Sequence, residues 1–142
     1  MAIREKLRLG DLLIRAGAIT QDQLDQALAE QKRTGLQVGR CMLSMGILTE
    51  DQLMNTLSEQ LEVPFVDLAD VTFSHEALAK IKENVARRHK LIPVFIKDGR
   101  LNVAMANPLN LMAIDQVTIQ AGMDVDILIA TEDDVDLSLI HI

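Results

Sequence analysis

Residues 8–31 read RLGDLLIRAGAITQDQLDQALAEQ, and residues 37–60 repeat them as QVGRCMLSMGILTEDQLMNTLSEQ. Nine of the 24 positions are identical at a shift of 29. They are Gly10/Gly39, Gly17/Gly46, Thr20/Thr49, Asp22/Asp51, Gln23/Gln52, Leu24/Leu53, Leu28/Leu57, Glu30/Glu59 and Gln31/Gln60. Composition alone would give one or two identities, so the chain contains one supersecondary unit twice. Pairs that differ mostly stay apolar, as at Leu9/Val38, Leu13/Met42 and Ile19/Leu48.

Each copy has the grammar of a short helix, a turn and a longer helix. Gly17 and Gly46 stand where a left-handed glycine would end the short helix. Thr20 and Thr49 then become N-caps, with Gln23 and Gln52 completing a capping box three residues on. The long helices are predicted over about 20–33 and 49–62, closed by Gly35 and by Pro64. Leu24, Leu28 and Gln31 fall at i, i+4 and i+7 on one face, as do Leu53, Leu57 and Gln60. An amide therefore follows two leucines on what should be the packed stripe, and a buried amide left unpaired costs ~1–3 kcal/mol.

After residue 64 the pattern changes. PFVDL is a short β-like run, and HEALAKIKENVARRHK has helical spacing, as one broken helix or two short ones. A strand near 91–96, a turn at Lys97-Asp98-Gly99 and a strand near 100–106 follow, because Asp-Gly between apolar runs marks a hairpin. Residues 110–121 read as a helix ended by Gly122, VDILIA reads as a third strand, and Thr131 opens another helix. That helix is expected to stop almost at once, leaving 136–142 as a truncated or non-native tail. The fold expected is α+β: a duplicated helix-turn-helix repeat followed by a small α/β domain with a hairpin-containing sheet. The domains expected are 1–68, 69–135 and the tail.

Composition excludes several functions. The chain has 142 residues, 49% hydrophobic and 25% charged, with three Phe and no Trp or Tyr. The core must therefore be aliphatic, and base-stacking nucleic-acid readers are disfavoured. A net charge of −7 also opposes non-specific binding to nucleic acid or anionic membranes. Residues 1–40 carry +2 and the remainder −9, so a small anion is better received at the N-terminal end. Cys41 is the single cysteine, and His75, His89 and His141 have no ligand spacing, so no metal site is expected. No signal peptide or membrane span is legible, since the longest apolar run falls far short of ~20 residues. A cytoplasmic protein is expected. There is no GxxxxGK[ST] and no GxSxG, so neither nucleotide hydrolysis nor serine-type catalysis is expected of this segment.

The candidate binding residues lie in the repeat. Arg8 precedes Gly10 by two residues, and its guanidinium suits phosphate or the O6/N7 edge of guanine. Gly10 and Gly39 either bare backbone N–H groups near helix starts or permit close helix packing. Gln31 and Gln60 either reach a nearby carbonyl or solvent, or face a polar ligand lying over the leucines.

The first copy fits RLGxxLxxxGxxxxxxLxxxLxxQ in full, through Arg8, Leu9, Gly10, Leu13, Gly17, Leu24, Leu28 and Gln31. A five-residue spacer, Lys32 to Leu36, leads to the second copy, which ends LxxQxxxPxxxL in Leu57, Gln60, Pro64 and Leu68. This tandem pattern resembles the MshE-type N-terminal domain of type II secretion and type IV pilus assembly ATPases. The stretch ARRHKLIPVFIKDGRLNVAMANP, with the helix and strand after it, resembles the α/β remainder of the same region. The resemblance implies binding of cyclic di-GMP, a two-fold ligand matching a two-fold motif, with no other cofactor. It implies polar contacts from Arg8 and Gln31 and leucines packed on the purines. The second copy would contribute Gln37, Val38, Gly39, Met42, Gly46, Leu53, Leu57 and Gln60. It departs from the pattern at Gln37, where an Arg is expected, and at Val38 and Met42, where Leu is expected. Gln37 loses a charge, and Arg40 is the nearest replacement.

The expected function is therefore a regulatory region that passes a cyclic di-GMP signal to a motor ATPase domain in cis. The alternatives are a docking module that attaches the motor to a cytoplasmic part of an inner-membrane platform protein, leaving the protein peripheral to that membrane, and a free-standing receptor acting on another partner.

Overall fold

A computed structural model describes residues 9–141. The chain divides into two compact units between Glu62 and Val63.

The first unit is the repeat, built from α1 (Leu9–Arg15), α2 (Gln21–Thr34), α3 (Val38–Ser44) and α4 (Glu50–Leu61). Its duplication holds down to the hydrogen bond. Gly17 takes φ +75° and Gly46 φ +74°. The Gly17 N–H donates to Ile14 O at 3.0 Å and the Ala18 N–H to Leu13 O at 2.9 Å. Gly46 and Ile47 make the matching bonds to Leu43 O and Met42 O, at 3.2 and 3.0 Å. This pair of bonds is a Schellman stop, which needs the left-handed residue a glycine supplies. Both capping boxes form: Thr20 N–H to Gln23 Oε1 and Thr49 N–H to Gln52 Oε1 are each 2.9 Å. The return bonds, from Gln23 N–H and Gln52 N–H to the threonine hydroxyls, are 3.2 and 3.1 Å. Gly35 closes α2 in the left-handed conformation. Glu62, at φ 56°, closes α4 two residues before the proline expected to do so.

The two copies interlock. α2 packs on α3, and α1 packs on both α3 and α4, so each short helix meets helices of the other copy. Leu12, Leu13, Ile19, Leu24, Ala27, Cys41, Met42, Leu48, Leu53, Met54 and Leu57 are buried.

The second unit holds a three-stranded sheet of β1 (Leu91–Lys97), β2 (Arg100–Met105) and β3 (Val125–Ile129). β1 and β2 are antiparallel, while β2 and β3 are parallel and joined through α7 (Leu111–Ala121). Asp98 and Gly99 both have positive φ, 54° and 73°, as a type I′ hairpin turn requires. The register slips between Pro93 and Phe95 on the edge strand β1, a position that tolerates a residue without an N–H. The stretch read as one or two helices forms two: α5 (His75–Leu78) and α6 (Glu83–His89).

Two boundaries differ from the sequence reading. Residues 63–68 belong to the second unit, where Phe65 bridges to β3: Val66 N–H donates to Ile129 O at 2.9 Å and Ile129 N–H to Pro64 O at 2.7 Å. Residues 136–140 are the body of a helix, α8 (Glu132–Ile140), rather than a tail. Val135 and Leu139, four apart on one face, are buried in the core, and Arg87 Nη2 donates to Leu139 O at 3.0 Å. Across β2 and β3, Arg100 meets Asp126 at 2.9 Å and Asp124 at 3.4 Å. The hydrogen bond to Asp126 holds the pKa of the Arg100 guanidinium above its ordinary value.

Candidate functional site

The repeat glycines are packing positions. A Cβ on Gly10 would stand 2.5 Å from Leu24 Cδ1 and 2.9 Å from Cδ2. A Cβ on Gly39 would stand 2.9 Å from Leu9 Cδ2 and 3.8 Å from Leu53 Cδ2. The motif thus brings Gly10 together with Leu24, and Gly39 with Leu9 of the other copy and with Leu53. Of the two sequence readings of these glycines, close helix packing accounts for the geometry. Both are buried, as are Leu13 and Met42, which occupy matching core places without exposure. Gly17 and Gly46 are exposed at their turns and shape the backbone.

The packed stripe of the long helices differs from the one expected. On α2 it is Leu24 and Ala27, with Leu28 left 39% exposed and Gln31 half-buried. On α4 it is Leu53, Met54 and Leu57, with Leu57 only 3% exposed and Gln60 exposed. Gln60 is exposed in the last turn of α4, so the expected buried amide does not arise there. Leu28 and Leu57 carry the same letter in the same register, yet one is open and the other is core.

Gln37 is the N-cap of α3, exposed, and its side chain makes no capping bond. Val38 and Leu9 are half-buried. Arg8 lies outside the described residues. Cys41, passed over in the sequence beyond its being alone, is a fully buried core residue whose Sγ lies 3.9 Å from Thr34 Oγ1 and from Leu36 O.

The second unit has its own concavity, which the sequence did not disclose. A groove of about 520 Å³ is lined by Leu68, Phe73, His75, Leu78, Leu137 and His141 among others. His75 and His141 look unrelated at a separation of 66 residues, and the packing of α8 brings both to the lining of this groove. Among the described residues no group of three or more His, Cys, Asp or Glu could hold a metal ion. No helix among them is long and apolar enough to cross a membrane.

With the site's geometry in place, the chain can be set beside known proteins. The MshEN domain model matches residues 61–142, more than half of the chain. The chain belongs to the MshEN domain family. The match begins at the end of α4, so the tandem repeat of this MshEN chain lies mostly before it. The repeat is covered by other likenesses. The chain is 33% identical to a solved structure of MshE with cdg (cyclic di-GMP), covering 96% of this chain and 99% of that one at a TM-score of 0.83. It shares its fold with the N-terminal domain of XpsE, at 21% identity and a TM-score of 0.75, over 96% of this chain and 94% of that one. It is also 32% identical to the type IV pilus assembly ATPase PilB of Myxococcus xanthus over 125 residues. That alignment takes in 88% of this MshEN chain but only 22% of the ATPase.

Proposed function

We propose that this chain is the regulatory N-terminal region of a type II secretion or type IV pilus assembly ATPase. Its tandem motif binds cyclic di-GMP and passes the signal to a motor domain beyond the segment described here. The observation that carries this reading is the likeness to MshE with cdg over 96% of the chain. The repeat's chemistry supports it: α2 leaves Leu28 open beside the half-buried Gln31, an apolar seat with an amide at its edge. A purine face and its polar rim need that combination. In this reading Arg8 and Gln31 make the polar contacts. Leu28, with the half-buried Leu9 and Val38, supplies the apolar wall, Leu24, Leu53 and Leu57 support it from the core, and Gly39 lets the second copy approach Leu9 of the first. This segment carries no catalysis of its own, and ATP hydrolysis belongs to the motor domain in cis.

The docking reading, in which the region attaches the motor to an inner-membrane platform protein, draws on one observation. Met112 and Ile119, seven apart on one face of α7, are 82% and 81% exposed. The two readings are compatible, since a sensor must also touch something.

Thermal unfolding with and without cyclic di-GMP tests the sensor reading. Ligand at a hundredfold its Kd stabilises by about 2.7 kcal/mol, which raises the midpoint by several degrees. Gln31→Ala should reduce the rise at equal ligand. An unmoved midpoint at about 1 mM ligand would contradict the proposal.

A further inference from the structure

The duplication assigns every residue of α1 a counterpart in α3, and one pair exchanges charge. Asp11 of the first copy stands opposite Arg40 of the second, while Arg8 stands opposite Gln37. The first copy reads cation then anion, three residues apart, and the second reads amide then cation. Asp11 and Arg40 are both exposed, each flanked by a buried glycine and a buried core residue (Leu12 or Cys41), so they occupy equivalent outward positions.

On a helix, residues three apart share a face, and the Cα–Cβ bonds tilt toward the N-terminus. A long side chain therefore covers the turn before its own Cα. The rise between Gln37 and Arg40 is about 4.5 Å, well within an arginine's reach. Arg40 is the sole charged residue of α3, and Gln37 beside it makes no side-chain capping bond that would hold its amide to the helix.

Resting on the cyclic di-GMP reading, we infer that Arg40 is the ligand-facing cation of the second copy. It replaces the missing arginine at position 37 from one turn further into the helix. The second half-site thereby keeps a guanidinium for a phosphate or a guanine edge, and Gln37 adds a neutral hydrogen bond next to it. The single-turn displacement explains how a copy that has lost the motif arginine retains a positive charge on the same face.

The test measures cyclic di-GMP binding by calorimetry at low and high salt. The proteins are the parent chain, Arg40→Gln, and the double variant Arg40→Gln/Gln37→Arg. Arg40→Gln should weaken binding about tenfold, the difference between a charge-assisted and a neutral hydrogen bond, and should flatten the salt dependence. The double variant returns the cation to the motif position and should recover affinity to within about threefold, with the parent's salt dependence. Arg40 already has an interaction within the protein, so its loss could act through structure. The double variant separates these cases: a loss that Gln37→Arg does not recover overturns the inference. Equal affinity for the parent and Arg40→Gln also overturns it while leaving the sensor reading intact. No binding by the parent overturns both.

Discussion

Leu28 and Leu57 show what a single residue contributes here. They are identical in letter and in register, but Leu57 sits in the core of the repeat and Leu28 faces outward. Removing a buried leucine forfeits its transfer energy and leaves a cavity, so Leu57→Ala should cost about 2–5 kcal/mol in denaturant titration. Leu28→Ala should cost less than ~1 kcal/mol and instead weaken cyclic di-GMP binding. Equal stability losses would mean that the two helices pack alike and that no open seat exists. The sequence could not separate this pair, because burial here depends on which neighbouring helix covers each leucine. The glycines are a related case: their spacing was legible, but both packing and ligand access fit it. The approach of Leu24 and Leu9 decided between them.

At the scale of elements, signals confined to one turn were read correctly. Both glycine stops, both capping boxes, the Asp98-Gly99 turn and the Gly122 stop depend on local backbone chemistry, and each stands where its residues imply. Thr20→Ala and Thr49→Ala should each lower stability by about 1 kcal/mol, with losses that add, because each cap serves a separate helix. A cost near zero for either, measured by urea unfolding, would show that the cap is not formed. The misread element was α8. Of its four apolar residues only Val135 and Leu139 are buried, while Leu137 and Ile140 are exposed, so the sequence shows no clean helical stripe and tertiary packing selects the buried pair. The end of α4 falls where the sequence places it, but the stop is not the Pro64 that was expected to supply it. A non-glycine residue, Glu62, takes the left-handed position, and that choice leaves no mark in composition.

The whole molecule combines two compact units of different architecture. The repeat unit carries the tandem motif and a net charge of −2, while the more acidic second unit, at −5, carries the sheet, and the family match falls mainly there. The tandem motif, the two helical hairpins and the αβ sheet were all legible in the sequence. The inequality between the copies was legible at Gln37, Val38 and Met42, and its other half, the closed Leu57, required the packed structure. The proposed regulatory role stands on cyclic di-GMP binding by the repeat. Isothermal calorimetry of the chain with cyclic di-GMP, beside Arg8→Ala and Gln31→Ala, is the direct measurement. The parent should bind saturably with Kd well below ~100 μM, a free energy stronger than about −5.5 kcal/mol, and both variants should bind more weakly. No heat of binding at ~100 μM ligand, or variants that bind as tightly as the parent, would contradict the proposal.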